Sequence, residues 1–577
     1  MPTLEWIGKD KVINHHQQVP CRVLEEKYTY NAEQSDNMII RGDNLEALKA
    51  LLPKYEGKIK CIYIDPPYNT GNEGWKYNDN VNDPKIKKWL GEVVGKEGED
   101  LSRHDKWLCM MYPRLKLLHK LLSDEGAIFI SIDENELVNL RLIYNEIFGQ
   151  NRHVATFVWQ KRTSPDARKK ISNGHEYIVV YAKNPDNENT FNLLRLDGKD
   201  AGKYKNPDND PRGPWGSSDF TAQGWRPNQM YEITTPSGLK MTPPEGRCWR
   251  HLEEVYKQLL DEGRLWFGAD GNGVPRKKTY LSEKEGKGVW TWWTNTEVGH
   301  TQEATQELGS ILGKAIFDYP KPVRLISRIV ELASSPGDII LDSFAGSGTT
   351  AHAVLSANAA DGGNRKFILV EMDDYAESIT AERIKRVVSG YKADREEVLY
   401  DEEITIKNLA KGAEMLIEAK EIATAAKSKY SSVKSPKIEN GRLTVTAITK
   451  AADQVAGTGG NFSFYDLGEA LLLDNGNLNE NLSVDKIREY VYYMETKEPM
   501  TMVSNGNPYF MGNSHSAAYY FYYKRDAITT LDHEFLTTIP ERADSYIIYA
   551  DLCTIPAEEL AKYNITFKKI PRDIAKL

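Results

Sequence analysis

The hydrophobic and polar positions of the chain alternate in a regular way in two separate stretches. In the first stretch, short apolar runs predict buried strands at 38–41, 60–64, 127–132, 154–159 and 176–182. Apolar positions at helical spacing predict helices that begin at Leu45, behind a capping Asp43 or Asn44, and at 113–122 and 134–148. Strands that alternate with helices are typical of a mostly parallel sheet covered by helices.

The same pattern returns after residue 315. Helices are predicted at 323–333, 349–357 and 375–389, and strands at 338–341 and 367–371. The intervening stretch is crowded with Pro, Gly, Asn and Trp and has poor periodicity apart from one helix near 249–260, which indicates a loop-rich insertion. We therefore expect an α/β protein built from two sequence halves. The predicted divisions are 1–30, 31–183, 184–315, 316–395 and 396–577.

The composition is that of a soluble globular protein with several domains. The 577 residues are 40% hydrophobic and carry a formal net charge of −9. This acidic balance counts only mildly against a nucleic-acid partner, because phosphate binding needs no more than a local basic surface. The five cysteines are scattered without a CxxC pair, so we expect no disulfides, no zinc and a cytoplasmic location. No apolar run is long enough for a membrane span, and the N-terminus lacks an apolar signal-peptide core.

Asp65, Pro66, Pro67 and Tyr68 come directly after the predicted strand at 60–64. Ligands of open α/β sheets bind beyond the carboxyl ends of the strands, so the tetrapeptide lies where chemistry is expected. The prolines fix the backbone and lack N–H donors, which leaves the Asp65 carboxylate and the Pro66 carbonyl as rigid acceptors. Such acceptors suit an amino group conjugated to an aromatic ring, and Tyr68 offers a face for stacking. The alternative is a loop that merely ends a strand.

Residues 342–350 (DSFAGSGTT) likewise follow a predicted strand and open a predicted helix. Gly346 and Gly348 let a ligand approach the backbone closely, and Glu371 ends the next strand, where a carboxylate can accept hydrogen bonds from ribose hydroxyls. The segment also fits G-x-G-x-x-A, so a nicotinamide dinucleotide and a structural tight turn both remain open. A Walker A loop is excluded, because no Gly-Lys-Ser/Thr follows. Phe344 favours a ligand without a diphosphate.

Together the two motifs resemble those of the amino-methyltransferases of DNA, in which FxGxG holds S-adenosylmethionine and DPPY holds the target amino group. The order here, with DPPY first, the insertion next and FxGxG last, resembles the β class of these enzymes. The resemblance is closer still to the modification (Mod) subunits of type III restriction-modification systems. Further segments that carry it are 42–45 (GDNL), 65–71 (DPPYNTG), 106–115 (KWLCMMYPRL), 127–134 (AIFISIDE), 147–149 (IFG), 175–177 (HEY) and 319–326 (YPKPVRLI).

The resemblance implies a Rossmann-like methyltransferase sheet, circularly permuted, with an inserted target-recognition domain at 184–315 and a C-terminal α+β domain. It implies methyl transfer from S-adenosylmethionine to adenine N6 in duplex DNA, with the base flipped out of the helix. Asp65, where relatives can have Ser, favours adenine N6 over cytosine N4. The resemblance assigns the target base to Asp65, Pro66, Pro67 and Tyr68. It assigns the cofactor to Asp43, Lys321, Asp342, Phe344, Gly346, Gly348, Thr349 and Glu371.

The same resemblance implies partners. We expect double-stranded DNA as the substrate, and a homodimer, because β-class relatives are commonly dimers. We also expect a separate restriction subunit, because the sequence contains no helicase or nuclease motif that we recognise. When bound to DNA, the protein would be associated with the nucleoid. The alternatives are a cytosine-N4 methyltransferase, a solitary regulatory adenine methyltransferase, a dinucleotide-dependent oxidoreductase and a non-catalytic DNA-binding module.

Three further patterns are weaker. The loop at 161–170 is a candidate for contacts with DNA phosphates, or else a solvated surface loop, and its cations are Lys161, Arg162, Arg168, Lys169 and Lys170. Trp290, Trp292 and Trp293 predict a strand in the core of the insertion. His15, His16 and His104 have no partnered Cys or His spacing, so we expect surface residues rather than metal ligands.

Overall fold

The computed structural model shows two compact units. The insert unit is Leu193–Trp290, and the main unit is Met1–Asn192 with Thr291–Leu577. The structure describes residues 3–70, 103–196, 198–313, 317–392, 395–405, 409–430, 432–439, 441–449, 454–473, 477–500, 506–540, 542–571 and 574. Gly71, at the end of the 65–71 segment, therefore lies outside the described residues.

Within the described residues, a ten-stranded sheet forms the centre of the main unit. In chain order its strands are β1 (Arg22–Tyr30), β2 (Met38–Arg41), β3 (Ile59–Ile64), β4 (Leu122–Ile132), β5 (His153–Gln160), β6 (His175–Ala182), β7 (Trp292–Trp293), β8 (Ile339–Asp342), β9 (Lys366–Glu371) and β10 (Phe462–Ala470). Their order across the sheet is β1-β10-β2-β9-β8-β3-β4-β6-β5-β7. The strands from β10 to β4 in this order run parallel, and β1 and β6 pair antiparallel with β10 and β4.

Helices cover this sheet. The main ones are α1 (Asn44–Tyr55), α2 (Arg103–Leu121), α3 (Leu137–Phe148), α4 (Thr301–Leu312), α5 (Val323–Ala333), α6 (Thr349–Asp361) and α7 (Glu382–Ser389), the last preceded by a π-helical turn at Ala376–Ala381. β3 is buried at every position, as expected of a parallel strand that is covered on both faces. The predicted α/β fold, with a mostly parallel sheet built from two sequence halves, is confirmed.

Local sequence explains α1 more simply than it explains α2. Asp43 caps α1 as predicted, because its side chain accepts from the backbone N–H of Leu45 at 2.8 Å. The prediction that placed Pro113 near the start of α2 is wrong, because α2 runs from Arg103 and has Pro113 inside it. An interior proline forfeits the hydrogen bond to the carbonyl four residues earlier. The apolar side chains that α2 buries on both sides of Pro113, such as Trp107, offset that cost.

The central sheet takes strands from all five predicted divisions, including the first and the last. β1 lies within 1–30 and β10 within 396–577, and the two strands pair with each other. β10 also pairs in parallel with β2, and Arg41 donates two hydrogen bonds of 2.8 Å to the Asp466 carboxylate. Segments so far apart in sequence carry no local signal of their pairing. The division into domains otherwise stays a prediction.

The rest of the C-terminal part of the chain contains two four-stranded sheets among its described residues. One pairs Arg395–Glu403 with Arg442–Thr449 and packs against the helix Gly412–Ala426. The strands of the other are Phe510–Ser514, Ala517–Phe521, Ser545–Ala550 and Ile565–Lys569, and the helix Val484–Thr496 packs beside them. No helix among the described residues is long and apolar enough to cross a membrane.

The insert unit consists of short strands and one main helix. Trp215–Asp219 pairs antiparallel with Arg276–Tyr280, which also pairs with Leu265–Trp266. The helix is Glu253–Asp261, within the stretch where the sequence predicts one. The apolar core of the insert unit contains Phe220, Ile233, Trp249, Tyr256, Leu259, Leu265 and Phe267.

The three tryptophans predicted to fill the core of the insertion do not do so. Trp292 and Trp293 form β7, which pairs in parallel with β5 in the sheet of the main unit. Trp290 is 84% exposed and Trp292 is 53% exposed, and only Trp293 is buried. The prediction is therefore wrong about the core, although the alternation correctly indicated a strand. Periodicity identifies a strand but not the sheet that it joins.

Candidate active site

The two sequence motifs meet at one edge of the central sheet. β3 runs into Asp65, its neighbour β8 ends at Asp342 and runs into the glycine-rich loop, and the two strands are parallel. Parallel neighbours end at the same edge, which is where open α/β sheets bind ligands. Residues of both motifs, among them Asp65 and Phe344, consequently line one cavity of about 330 Å³. Lys321 lines it as well.

A second cavity of about 530 Å³ lies on the other side of the same loop. The two cavities share Phe344 and Gly346. Glu371 and Met372, at and just beyond the end of β9, line the second cavity, and so does Asn44 at the start of α1. An aromatic ring, a buried carboxylate and an amide suit a ligand that combines a flat base with a sugar.

Both carboxylate oxygens of Asp65 accept hydrogen bonds. Oδ2 accepts from Lys321 Nζ at 2.6 Å, and Oδ1 accepts from the Tyr68 hydroxyl at 2.9 Å. Lys321 Nζ also lies 5.1 Å from the centre of the Tyr68 ring, a distance typical of cation–π contacts. Burial raises the pKa of Asp65, and the Lys321 ammonium opposes that rise.

Glu176 completes this cluster, although the sequence interpretation gave it no role beyond its place in the 175–177 segment. It is a buried residue of β6. Its Oε2 accepts from the Tyr68 hydroxyl at 3.1 Å and lies 3.8 Å from Lys321 Nζ, while its Oε1 accepts from Lys161 Nζ at 2.7 Å. The signal that marks it is an acidic residue within an otherwise apolar strand.

Charge in this cluster is balanced between two carboxylates, Asp65 and Glu176, and two ammonium groups, Lys161 and Lys321. Burial alone raises the pKa of Glu176, but Lys321 and Lys161 together hold that pKa below its ordinary value. Burial alone lowers the pKa of Lys321, but Asp65 and Glu176 outweigh burial and raise it. Buried charges are tolerated only when they are paired in this way.

The backbone after β3 is fixed by contacts with α2. Trp107 Nε1 donates to the Pro67 carbonyl at 2.7 Å. Asn69 adopts a left-handed conformation, with φ at 58°, and its side chain donates to the Arg103 carbonyl at 3.0 Å. The Asp65 carboxylate and the Tyr68 ring therefore extend from a segment that is held rigid on both sides.

The glycine-rich loop is anchored by two buried carboxylates. Asp342 accepts from the Phe344 N–H at 3.0 Å and from the Thr350 hydroxyl at 2.5 Å. Glu371 accepts from the Gly346 N–H at 2.7 Å. Burial raises the pKa of both Asp342 and Glu371 to about 7.

A buried arginine supports the loop from α7, and the sequence gave no signal for it beyond a place on an amphipathic helix. Arg383 Nη1 donates to the Ser347 and Thr349 hydroxyls, both at 2.9 Å. The Thr349 hydroxyl in turn donates to the Lys321 carbonyl at 3.2 Å. Burial lowers the pKa of Arg383 to about 10. The loop, α7 and the segment that carries Lys321 are thus joined by one hydrogen-bond network.

One hydroxyl at the second cavity has no hydrogen-bond partner among the described residues. Ser343 Oγ is buried and lies in the loop between β8 and α6. Ser343 also lines the second cavity. A buried polar group without a partner costs about 1–3 kcal/mol. A polar ligand in the cavity would recover that free energy.

The structure brings most of the predicted cofactor residues to these two cavities. Lys321, Asp342, Phe344, Gly346 and Thr349 line the first, and Gly346, Phe344 and Glu371 line the second. Asp43 and Gly348 line neither. Asp43 instead caps α1 and pairs with Arg114 Nη2 at 3.2 Å. Gly348 provides the left-handed turn, with φ at 80°, from which α6 begins.

Of the five cations in the predicted DNA-binding loop, Lys161 pairs with a buried carboxylate and the other four are exposed. The Lys161 ammonium pairs with Glu176. This differs from the expected contact of Lys161 with a DNA phosphate. Arg168 pairs with Asp166 at 2.9 Å and is 89% exposed in its side chain. Arg162, Lys169 and Lys170 are also exposed.

The histidines are arranged differently from the expectation of surface residues. His16 is buried, and burial lowers its pKa to about 4. His104 Nδ1 lies 2.6 Å from Glu136 Oε1. In the part of the chain that the structure describes, no group of three or more His, Cys, Asp or Glu side chains is arranged to hold a metal ion.

Replacing Gly348 by alanine is expected to lower the free energy of unfolding by about 1–2 kcal/mol. The residue is left-handed, and an added Cβ would lie 3.2 Å from Thr380 Cγ2 and 3.3 Å from the Thr380 carbonyl oxygen. Urea denaturation measures the change. Gly174→Ala is the matched control, because a Cβ there meets nothing within 4 Å. Equal stability of the two variants would contradict the prediction.

Comparison with known proteins agrees with this geometry. Residues 59–382 match a family model described as DNA methylase. The chain is 35% identical over 427 residues to the StyLTI Mod subunit, a type III restriction-modification enzyme of Salmonella typhimurium. That alignment covers 68% of this chain and 63% of the relative, so the chain spans less than two thirds of the relative's length.

Two shorter relatives are covered more fully. The type II methyltransferase M.KpnI of Klebsiella pneumoniae is 31% identical over 384 residues, which are 60% of this chain and 85% of the relative. The DNA adenine methyltransferase YhdJ of Escherichia coli is 35% identical over 365 residues, which are 62% of this chain and 85% of the relative. The family match at 59–382 contains Asp65, Lys321 and Glu371. It covers every residue that lines the first cavity, and every one that lines the second except Asn44.

Proposed function

Because this chain belongs to the DNA methylase family, we propose that it is a site-specific methyltransferase that moves a methyl group from S-adenosylmethionine to adenine N6 in duplex DNA. The observation that carries the proposal is the cavity lined by both Asp65 and Phe344, since it joins an acceptor for an amino group to the glycine-rich loop. Adenine is supported over cytosine by the aspartate at position 65 and by the likeness to an adenine methyltransferase.

The residues around the two cavities fit S-adenosylmethionine. Phe344 offers a flat apolar surface, Glu371 is an acceptor for ribose hydroxyls, and Ser343 Oγ needs a hydrogen-bond partner. Lys321 brings a cation to the first cavity, which suits a carboxylate, and Asp65 brings an anion, which suits a sulfonium. When bound, S-adenosylmethionine supplies an electrophilic methyl group. Thr349, Asp342 and the backbone at Gly346 would complete the cofactor site.

Asp65 and Pro66 would act on the target amino group as hydrogen-bond acceptors. Two acceptors aimed at its N–H groups draw electron density onto the nitrogen, so no strong general base is needed. The contact of Pro67 with Trp107 keeps both acceptors in place before the base arrives. Tyr68 would stack on the base once it has been flipped from the duplex.

The wider setting is also part of the proposal. The likeness to Mod subunits supports a modification subunit of a type III-like system that works with a separate restriction subunit. We assign target recognition to the insertion, partner or dimer contacts to the residues after 396, and phosphate contacts to the exposed cations of the loop at 161–170. The proposed assembly is a homodimer in the cytoplasm that associates with the nucleoid when it is bound to DNA.

The test is to express the full chain in a methylation-deficient bacterium and map modified bases by single-molecule sequencing, beside an Asp65→Ala variant. We expect N6-methyladenine at one sequence motif, and none with the variant. Methylation of one strand of a non-palindromic motif would support the type III setting. N4-methylcytosine would overturn the assignment to adenine, and the absence of any modified base despite soluble protein would overturn the activity of this chain alone.

Replacing Glu371 by glutamine is expected to weaken S-adenosylmethionine binding about tenfold or more at pH 8, and to raise the stability relative to the wild type between pH 5 and pH 8. Burial raises the pKa of Glu371 from 4.5 to about 7, so its contribution to stability falls as the pH rises from about 4.5 to about 7. Glutamine carries no charge and escapes that loss. Calorimetry measures the affinity, and thermal unfolding at pH 5 and pH 8 measures the stability. A gain in Tm that is the same at both pH values would contradict the prediction.

A further inference from the structure

Glu176 is a buried charge that the proposed chemistry does not yet use. It is 7% exposed and belongs to a strand, HEYIVVYA, whose other residues contain no carboxylate. Burying a carboxylate is costly unless its oxygens receive hydrogen bonds or ion pairs. Glu176 has both, from Lys161 and Tyr68. It therefore belongs to the same cluster as Asp65 rather than to the packing of β6.

The Tyr68 hydroxyl lies between two carboxylates. It is 2.9 Å from Asp65 Oδ1 and 3.1 Å from Glu176 Oε2. A phenol has a single O–H to donate, so Tyr68 can serve only one of the two acceptors at a time. The two arrangements differ by little more than a rotation of that O–H bond.

The target amino group would meet an Asp65 carboxylate whose two oxygens each already accept a hydrogen bond. Asp65 Oδ2 is held by Lys321 at 2.6 Å, and Oδ1 accepts from Tyr68. Releasing Oδ1 would leave a buried phenol without an acceptor, which costs about 1–3 kcal/mol. Glu176 Oε2 lies within hydrogen-bonding distance of the same hydroxyl and removes that cost.

We infer that Glu176 is a positioning residue that takes over the Tyr68 hydroxyl when Asp65 Oδ1 turns to the amino group of the target base. The inference rests on the proposed function. Lys161 holds the other oxygen of Glu176 at 2.7 Å and so keeps Oε2 directed toward Tyr68. The exchange moves one hydrogen bond and forms or breaks no covalent bond. It also keeps the Tyr68 ring in a defined orientation while the base stacks on it.

The experiment is a double-mutant cycle on the purified full chain. Its four proteins are the wild type, Glu176→Gln, Tyr68→Phe and the double variant. Tritiated S-adenosylmethionine and plasmid DNA from a methylation-deficient strain give kcat and the KM for DNA. Calorimetry gives the affinity for S-adenosylmethionine, and thermal unfolding reports on the fold. Glu33→Gln is the matched control, because it removes the same charge from an exposed position between β1 and β2.

We expect Glu176→Gln to lower kcat about tenfold in the wild-type background, with the affinity for S-adenosylmethionine unchanged. The Tm should fall to a similar extent in both Tyr68 backgrounds, because Lys161 and Lys321 each lose a buried partner. In the Tyr68→Phe background the hydroxyl is gone, so Glu176→Gln should cost less than about threefold. If Glu176 acts through the Tyr68 hydroxyl, the two substitutions must lower kcat by less together than the product of their separate effects. Glu33→Gln should behave like the wild type.

Other outcomes overturn the inference. Effects on kcat that multiply in the double variant would mean that Glu176 acts independently of the Tyr68 hydroxyl. Loss of cofactor affinity with Glu176→Gln, or loss of folded protein at the assay temperature, would mean a structural role. Methyl transfer by the wild type with no effect of Glu176→Gln would overturn the inference alone. No methyl transfer by the wild type would overturn the proposed function, and the inference with it.

Discussion

Asparagine in place of Asp65 is expected to lower kcat for methyl transfer by about 100- to 1,000-fold. Asparagine keeps the size of the side chain but replaces one acceptor oxygen with an NH₂ group, which repels the target amino group instead of accepting from it. It also removes the anion that holds Lys321 at 2.6 Å. Single-turnover transfer of tritiated methyl groups to plasmid DNA measures the loss without interference from product release.

The control for this variant is Asp186→Asn, which neutralises an exposed aspartate just after β6. We expect it to react at the wild-type rate. Thermal unfolding of both variants shows whether Asp65→Asn still folds, since Lys321 retains Glu176 as a partner at 3.8 Å. A folded Asp65→Asn protein with more than about a tenth of the wild-type rate would contradict a central role for the carboxylate.

Methionine in place of Lys321 is expected to lower the free energy of unfolding at pH 8 by about 3–5 kcal/mol. The substitution leaves Asp65 buried without its ammonium partner and deprives Glu176 of its second cation. Breaking a buried ion pair from one side is more harmful than replacing both partners. Urea denaturation followed by tryptophan fluorescence measures the loss.

The loss should shrink as the pH falls. Burial already raises the pKa of Asp65, and without Lys321 only the weaker effect of the Tyr68 hydrogen bond is left to oppose that rise. A carboxyl whose folded pKa exceeds its unfolded value destabilises the protein above the folded pKa, and stability returns as the pH falls below it. The double variant Lys321→Met with Asp65→Asn should recover part of the stability at pH 8. A loss that is equal at pH 5 and pH 8 would contradict this account.

The sequence predicts the elements that carry the two motifs, because each motif lies at a junction with a strong local signal. The strands at 60–64 and 338–341 are short apolar runs, and each is followed by a turn-forming or glycine-rich segment. The rule that ligands bind at the carboxyl ends of parallel strands then brings Asp65 and Phe344 to the same edge. The structure places both residues around one cavity.

The residues that complete the site escape prediction because their roles exist only in three dimensions. Glu176 contacts Tyr68 across the sheet, and Arg383 contacts the loop that holds Thr349. Neither contact follows from periodicity or spacing, since the partners are far apart in the chain. The contact of Lys161 with Glu176 was also missed, and Lys161 was interpreted as a loop cation. Its distance from Glu176 depends on how β5 pairs with β6. Pairing of this kind depends on packing and not on local preference.

The position of β10 bears on how the protein is made. β1 and β2 leave the ribosome before the two motifs do, yet the strand that lies between them, Phe462–Ala470, is translated only after both motifs. Until then β2 can pair only with β9, and its other edge is open. β1 has no partner in this sheet. Exposed strand edges on an incomplete sheet are sites of wrong pairing and aggregation. A ribosome that stalls after both motifs but before residue 470 therefore releases a chain without a complete β10. In that chain β1 cannot be joined to the central sheet.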